Sequence, residues 1–326
     1  ADRLIWNSIA SSNKDMHEKS KTILPPWPLY YKLPSGNLNS IIAWSLCDTR
    51  FAFVHRHCTT IAIVDQQRGP FRNNENDNNN FGWVGHGEYY GVTDLEFSPD
   101  GRFLVSAGGA GQGGGIVRLW DTVTGNYEQL QEWNIKEQEG INNIYHMNVS
   151  VSPCSKHILV LVATTAMRYH VFLKDVENGS EAIRSLTPYQ PMPMENIKKI
   201  MFSGDGRAVF VCGWDITGLF IKVWRLYLDD ANMNSLTTIW RPEQTHLVDV
   251  YSYDEVKSII SHDGTMIAIH DAQRNKGWLL SIDNNNNLNC LTHKFNFPVS
   301  AKLSQNRSAK LSLLHFTPDN KYIAYS

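Results

Sequence analysis

Cysteine, charge of one sign and long apolar runs are all scarce in this chain of 326 residues. The five cysteines (Cys47, Cys58, Cys154, Cys212 and Cys290) are scattered, odd in number and never spaced as CxxC, so neither a disulfide framework nor a zinc site is indicated. That usage fits a reducing setting, and the chain is expected to be intracellular, cytoplasmic or nuclear. Asn-x-Ser sequons begin at Asn148, Asn178 and Asn306, as chance provides in a chain rich in both residues. A formal charge of −2 gives no whole-chain basis for binding nucleic acid or a membrane surface. No apolar run reaches the roughly 18 to 20 residues that cross a bilayer, and the first 20 residues lack the apolar core of a signal peptide.

Chemical motifs are scarce too. There is no GxxxxGK[ST] loop for a nucleoside triphosphate, no HExxH, no GxSxG and no evident acid pair. The stretch Gly109-Ala110-Gly111-Gln112-Gly113-Gly114 satisfies GxGxxG, but a dinucleotide site needs that loop to open a helix, and Ile116 to Asp121 alternates as a strand. A kinase would also need a strand lysine, an HRD-type loop and a DFG-type aspartate, and none follows in order. In His55-Arg56-His57-Cys58 the neighbouring residues point to opposite faces of a strand, so they cannot close a metal site alone. No catalytic residue, metal or cofactor is expected.

What is present is a recurring turn between two apolar runs. It reads Ser98-Pro99-Asp100-Gly101, Ser203-Gly204-Asp205-Gly206, His262-Asp263-Gly264 and Thr317-Pro318-Asp319-Asn320, with degenerate copies at Cys47-Asp48-Thr49 and Ser152-Pro153-Cys154-Ser155. Markers at positions 48, 100, 154, 205, 263 and 319 give intervals of 52, 54, 51, 58 and 56 residues. Such a period reads as an array of equal β-rich units, each too small to bury a hydrophobic face without its neighbours. The second unit shows the order most clearly: Val92 to Phe97, Arg102 to Ala107, Ile116 to Asp121 and Tyr127 to Trp133 make four strands of one antiparallel meander. Helical periodicity is almost absent. Two Asn tracts, 73–80 and 284–287, fall between third and fourth strands. With 42% apolar residues and 10 Trp, a large core is affordable, and the repeat favours one domain over 1–326.

Gly85-His86, Phe97-Ser98-Pro99-Asp100-Gly101 and Val117-Arg118-Leu119-Trp120-Asp121 together resemble one complete WD40 repeat. Ile221-Lys222-Val223-Trp224-Arg225 and Val171-Phe172-Leu173-Lys174-Asp175 resemble its third strand in weaker form. The resemblance implies an all-β propeller of four-stranded antiparallel blades. It also implies a tetrad of His, Ser/Thr, Asp and Trp that pins each blade. His86, Ser106 and Trp120 match, with Asp121 completing the WD pair, while glycines (Gly108 to Gly115) fill the stretch that should supply the tetrad aspartate. Six blades are favoured, the last one joining Lys310–Phe316 and Lys321–Ser326 to N-terminal strands Arg3–Asn7 and Leu29–Leu33 from within 1–39; the alternative is a seven-bladed ring of which this is a part.

The resemblance further implies a non-catalytic scaffold or recognition subunit that binds a protein or peptide within a larger hetero-complex. The alternative is a propeller enzyme or the propeller of a hydrolase. Carboxylates and histidines lining the channel with a divalent metal would favour the enzyme, and small apolar linings would disfavour it. In a propeller the second-to-third strand loops and the links between units emerge on one face. Reading those loops gives His55, Arg56, His57, Tyr89, Tyr90, Arg168, Trp214, Arg274 and Lys276 as partner-binding residues. Such cationic and aromatic groups suit an acidic or phosphorylated segment.

Overall fold

Most strands of this chain are apolar at successive positions, and a strand of that kind needs cover on both faces. The computed structural model describes residues 41–45, 50–55, 60–65, 81–85, 91–109, 115–124, 126–166, 168–177, 183–185, 196–215, 218–226, 233–240, 256–261, 263–271, 276–283, 288–296, 314–316 and 323–325. The first sheet holds β1 (Ile42–Trp44), β2 (Arg50–His55), β3 (Thr60–Asp65) and β4 (Phe81–Gly85). The second holds β5 (Val92–Phe97), β6 (Phe103–Gly108), β7 (Ile116–Asp121) and β8 (Gln129–Asn134). The third holds β9 (Ile144–Val151), β10 (His157–Thr164), β11 (Tyr169–Asp175) and β12 (Ile183–Ser185). The fourth holds β13 (Asn196–Phe202), β14 (Ala208–Asp215), β15 (Gly218–Leu226) and β16 (Met233–Trp240). The fifth holds β17 (Val256–Ile260), β18 (Met266–Asp271), β19 (Lys276–Ile282) and β20 (Leu288–Asn296), and β21 (Leu314–Phe316) pairs with β22 (Ile323–Tyr325). Every sheet is an antiparallel meander in chain order.

Strand β10 shows why the sheets must stack. Its Ile158, Val160 and Val162 pack with Val105, Leu119 and Trp133 of the second sheet, while Leu159, Leu161 and Ala163 pack with Ile197, Ile200 and Val211 of the fourth. Successive side chains leave a strand on opposite faces, so an unbroken apolar run supplies two cores at once. The same division joins the first sheet to the second and the fourth to the fifth. The first strand of each sheet lies beside the first strand of the next, from β1 through β5, β9, β13 and β17 to β21. The expected closing strands Arg3–Asn7 and Leu29–Leu33 lie outside the described residues.

The repeated turn has one hydrogen-bond pattern. In the second sheet Ser98 N–H donates to Phe103 O at 2.9 Å, Gly101 N–H to Ser98 O at 2.8 Å and Phe103 N–H to Ser98 Oγ at 3.1 Å. The Ser98 hydroxyl donates to Asp100 Oδ1 at 2.6 Å, an arrangement repeated by Ser203 with Asp205 and by Ser261 with Asp263. Burial opposes the charge of Asp100, but the Ser98 hydroxyl and Arg102 outweigh it and hold the carboxyl below its usual range. The fourth turn residue needs a left-handed backbone, supplied by Gly101 (φ 69°), Gly206 (φ 70°) and Gly264 (φ 68°). In the third sheet Ser155 adopts it instead (φ 59°), and Cys154 stands in the aspartate's place with Sγ 3.3 Å from Ser152 Oγ. The turn read in the sequence as starting at His262 begins at Ser261, whose N–H bonds Met266 O, so this unit is complete.

A short helix, α1 (Ile135–Glu139), interrupts the all-strand pattern between the second and third sheets. Asn134 caps it by accepting from Glu137 N–H, and Gly140 ends it at φ 67°. Five residues are too few to display helical periodicity, which is why the sequence pattern did not reveal it.

Candidate functional site

Each first strand runs into its turn, so the second-to-third connections emerge at the opposite end of every sheet. There His55 ends β2 opposite Thr60, exposed Arg168 precedes β11, Trp214 pairs with Asn196 and Leu219, and Lys276 opens β19 opposite Asp271. These four expected partner-binding residues are carried one per sheet, on the first, third, fourth and fifth. The backbone at Arg168 is fixed locally, since its N–H donates to Thr164 Oγ1 and its carbonyl accepts from Thr164 N–H. Arg56, His57, His86, Tyr89, Tyr90 and Arg274 lie outside the described residues. Trp214 was expected in a loop. It belongs instead to β14, because the hairpin with β15 stays paired as far as Asp215 and Gly218, and its half-buried side chain packs against the core shared by the fourth and fifth sheets.

A second grouping, absent from the sequence reading, runs along the first strands themselves. The outer N–H groups of a first strand have no ladder partner, and in two seams the preceding sheet caps them with side chains. Asp94 Oδ2 on β5 accepts from Val149 N–H of β9 at 2.9 Å, and Glu96 Oε1 accepts from Val151 N–H at 2.9 Å. One sheet further on, Asn148 Oδ1 accepts from Ile200 N–H of β13 at 2.9 Å and Ser150 Oγ from Phe202 N–H at 3.2 Å. Asn148 Nδ2 also donates to Asp94 Oδ2, which links the two seams. Lys199 then reaches back from β13 past β9, its Nζ lying 3.2 and 2.9 Å from the two oxygens of Asp94.

The electrostatics follow from enclosure. Burial pushes the Glu96 carboxyl up to about 7, with Asp94 adding to the rise and Lys199 and the Val151 N–H opposing it. Burial also works against the Lys199 charge, but Asp94 and Glu96 more than offset it and hold the ammonium above its ordinary value. His146 on β9 is pushed down, chiefly by burial and also by Lys198 and Lys199, and its Nε2 has no hydrogen-bond partner. Among the described residues no group of three or more His, Cys, Asp or Glu is placed to hold a metal. Gly109 N–H bonds Gly91 O, and the element that follows the glycine stretch is strand β7 from Ile116, where a dinucleotide site needs a helix.

The pin of the second sheet is also on view. Trp120 Nε1–H donates to Ser106 Oγ at 2.8 Å, both residues buried. Asp121 closes the next turn by accepting from Val123 N–H at 2.9 Å and from the Thr124 hydroxyl. At the position of Ser106, counted from the turn serine, the third, fourth and fifth sheets carry buried Val160, Val211 and Ile269. Only the second sheet therefore has a hydroxyl there among these four, and residues 80–121 match the family model described as WD domain, G-beta repeat. The fold is a β-propeller, and residues 80–121 within it match a WD40 repeat.

Solved structures carry the same fold at low identity. The chain matches the β-propeller domain of Cps50 (Swd1) from Myceliophteria thermophila at 16% identity and a TM-score of 0.56, covering 89% of this chain and 80% of that one. A chain of a Mitotic Checkpoint Complex matches at 11% identity and TM-score 0.50, covering 89% and 83%. Hydrazine synthase from Kuenenia stuttgartiensis matches at 14% identity and TM-score 0.51; the match covers 75% of this chain and spans only 65% of the enzyme's. No curated protein matches the sequence. These structural neighbours include a chain of a complex and an enzyme, so the fold alone does not choose between the two roles. No helix among the described residues is long and apolar enough to cross a membrane.

Proposed function

We propose that this propeller is a non-catalytic recognition subunit that binds an acidic or phosphorylated segment of a protein partner within a larger complex. The observation that supports it is the commitment of the central polar groups. Asp94, Glu96, Asn148 and Ser150 spend their acceptors on backbone amides of the next blade, and Lys199 spends its charge on Asp94. A catalytic acid or base must instead be within reach of a substrate proton. The residues left to meet a partner stand at the loop end, with exposed Arg168 the best defined and Lys276 at the corresponding end of the fifth blade. Exposed Cys154 and buried Cys212 are free thiols, which suits a reducing intracellular compartment.

The enzyme reading keeps one supporting observation, the buried His146 Nε2 on β9 that has no hydrogen-bond partner. The test of the preferred reading is titration of the purified propeller with phosphoserine and poly-glutamate peptides, comparing wild type with Arg168→Glu/Lys276→Glu. Weakening of about tenfold or more at moderate salt, with an unchanged melting temperature, is the expected result. Equal affinity in the double variant moves the site to another face.

A further inference from the structure

Asp94 and Glu96 stand two residues apart on β5, hence on one side of the strand, and both are turned toward β9. One ammonium serves the pair. Lys199 Nζ bonds both oxygens of Asp94, whereas Glu96 has the Val151 N–H at 2.9 Å and the Ser150 hydroxyl only at 3.5 Å. Two carboxylates sharing one cation in a half-buried seam do not both ionise without cost. The asymmetry of the contacts decides which one yields, because the carboxyl without the direct ion pair loses least by holding a proton.

We propose that the seam joining the second, third and fourth blades is a proton-linked device in which Glu96 takes up and releases a proton, tightening the seam when protonated and loosening it when ionised. The charged and titratable groups packed around this cluster are Asp94 on β5, His146 on β9, and Lys198 and Lys199 on β13. Burial raises Glu96 from its ordinary 4.5 to about 7, in agreement with the geometry. A raised carboxyl favours the fold when protonated, so its contribution is complete below pH 4.5 and is lost as the pH rises through about 7. His146 acts in the opposite sense, since its lowered value gives stability above 6.5 that is lost as the pH falls through the folded value.

Comparison with Glu96→Gln isolates the carboxyl, because the amide keeps an acceptor for Val151 N–H and cannot ionise. The melting temperature of the wild type relative to Glu96→Gln is expected to fall by about 3 °C between pH 6 and pH 8. Carbon-detected titration of the Glu96 carboxyl in the wild-type protein, assigned by its disappearance in Glu96→Gln, should give a midpoint near 7. In Asp94→Asn the ammonium of Lys199 is released to Glu96, and that midpoint should move down by about one unit or more. A merely structural role for Asp94 would not shift it. A wild-type midpoint in the ordinary carboxylate range, or parallel melting profiles for wild type and Glu96→Gln, overturns the proposal.

Discussion

The seams on either side of β9 and the seam between β13 and β17 arise from the same repeat, yet they are joined by different means. Around β9 the positions four and two residues before the turn serine carry acceptors, Asp94 with Glu96 and Asn148 with Ser150. On β13 the same positions carry Lys199 and Met201, a donor and an apolar side chain that cannot cap the amides of β17. There the blades meet through backbone instead. Gly204 in the turn of the fourth blade lies so near the turn of the fifth that a Cβ would sit 2.2 Å from Asp263 O and 2.8 Å from the Gly264 Cα. Beyond the apolar packing common to both, one seam adds directed hydrogen bonds and the other a close approach of two turns, so they should fail to different insults.

The largest effect is expected from Asp94→Ala, which removes the acceptor of Val149 N–H and Asn148 Nδ2 and leaves Lys199 without its ion pair. A loss of about 3–4 kcal/mol follows from leaving those two donors without their acceptor, while Glu96 remains to face the Lys199 charge. Denaturant unfolding measures it, and a loss near that of an ordinary surface change would show that the polar seam contributes little. Next comes Gly204→Ala, which should cost about 2–3 kcal/mol because its new methyl meets backbone that cannot swing aside. Substituting alanine at Gly140 provides the contrast, since nothing lies within 4 Å there and only the left-handed backbone resists. Smaller again, Trp120→Phe keeps an aromatic ring in the core but removes the indole N–H that donates to the buried Ser106 hydroxyl, at about 1 kcal/mol. Thermal unfolding of Trp120→Phe beside Ser106→Ala/Trp120→Phe separates the lost bond from the lost packing.

The strands and turns were legible because apolar alternation and Ser-x-Asp-Gly chemistry are local signals. Strand β7 (Ile116–Asp121) and strand β5 (Val92–Phe97) fall at the boundaries that alternation marks. The polar seam was not legible in the same way. Asp94, Asn148 and Lys199 are isolated polar residues inside apolar strands, and nothing within one strand says that an amide of the next blade awaits them. Aligning the units on their turn serines would have exposed the first two rows, because acceptors recur there at matching positions. It would not have foreseen Lys199 reaching back across a blade, since that position changes chemistry between units. The third-strand position of Trp120 holds Lys174 in the third blade, buried with its Nζ 5.1 Å from the centre of the Trp133 ring. A tetrad search passes over that blade because its pin is a cation over the preceding blade's indole.

The capping of amides by the blade before also gives the ring a direction. At the two seams around β9 acceptors belong to one unit and donors to its successor, so each of those junctions has a head and a tail, and neither the third nor the fourth blade is complete without the one that precedes it. Chain surgery inherits that polarity. A duplicated third blade would bring its own Asn148 and Ser150 to cap whatever follows and would receive Asp94 and Glu96 from the second. A duplicated fourth blade would present Lys199 and Met201 to its copy and leave the copy's Ile200 and Phe202 amides uncapped.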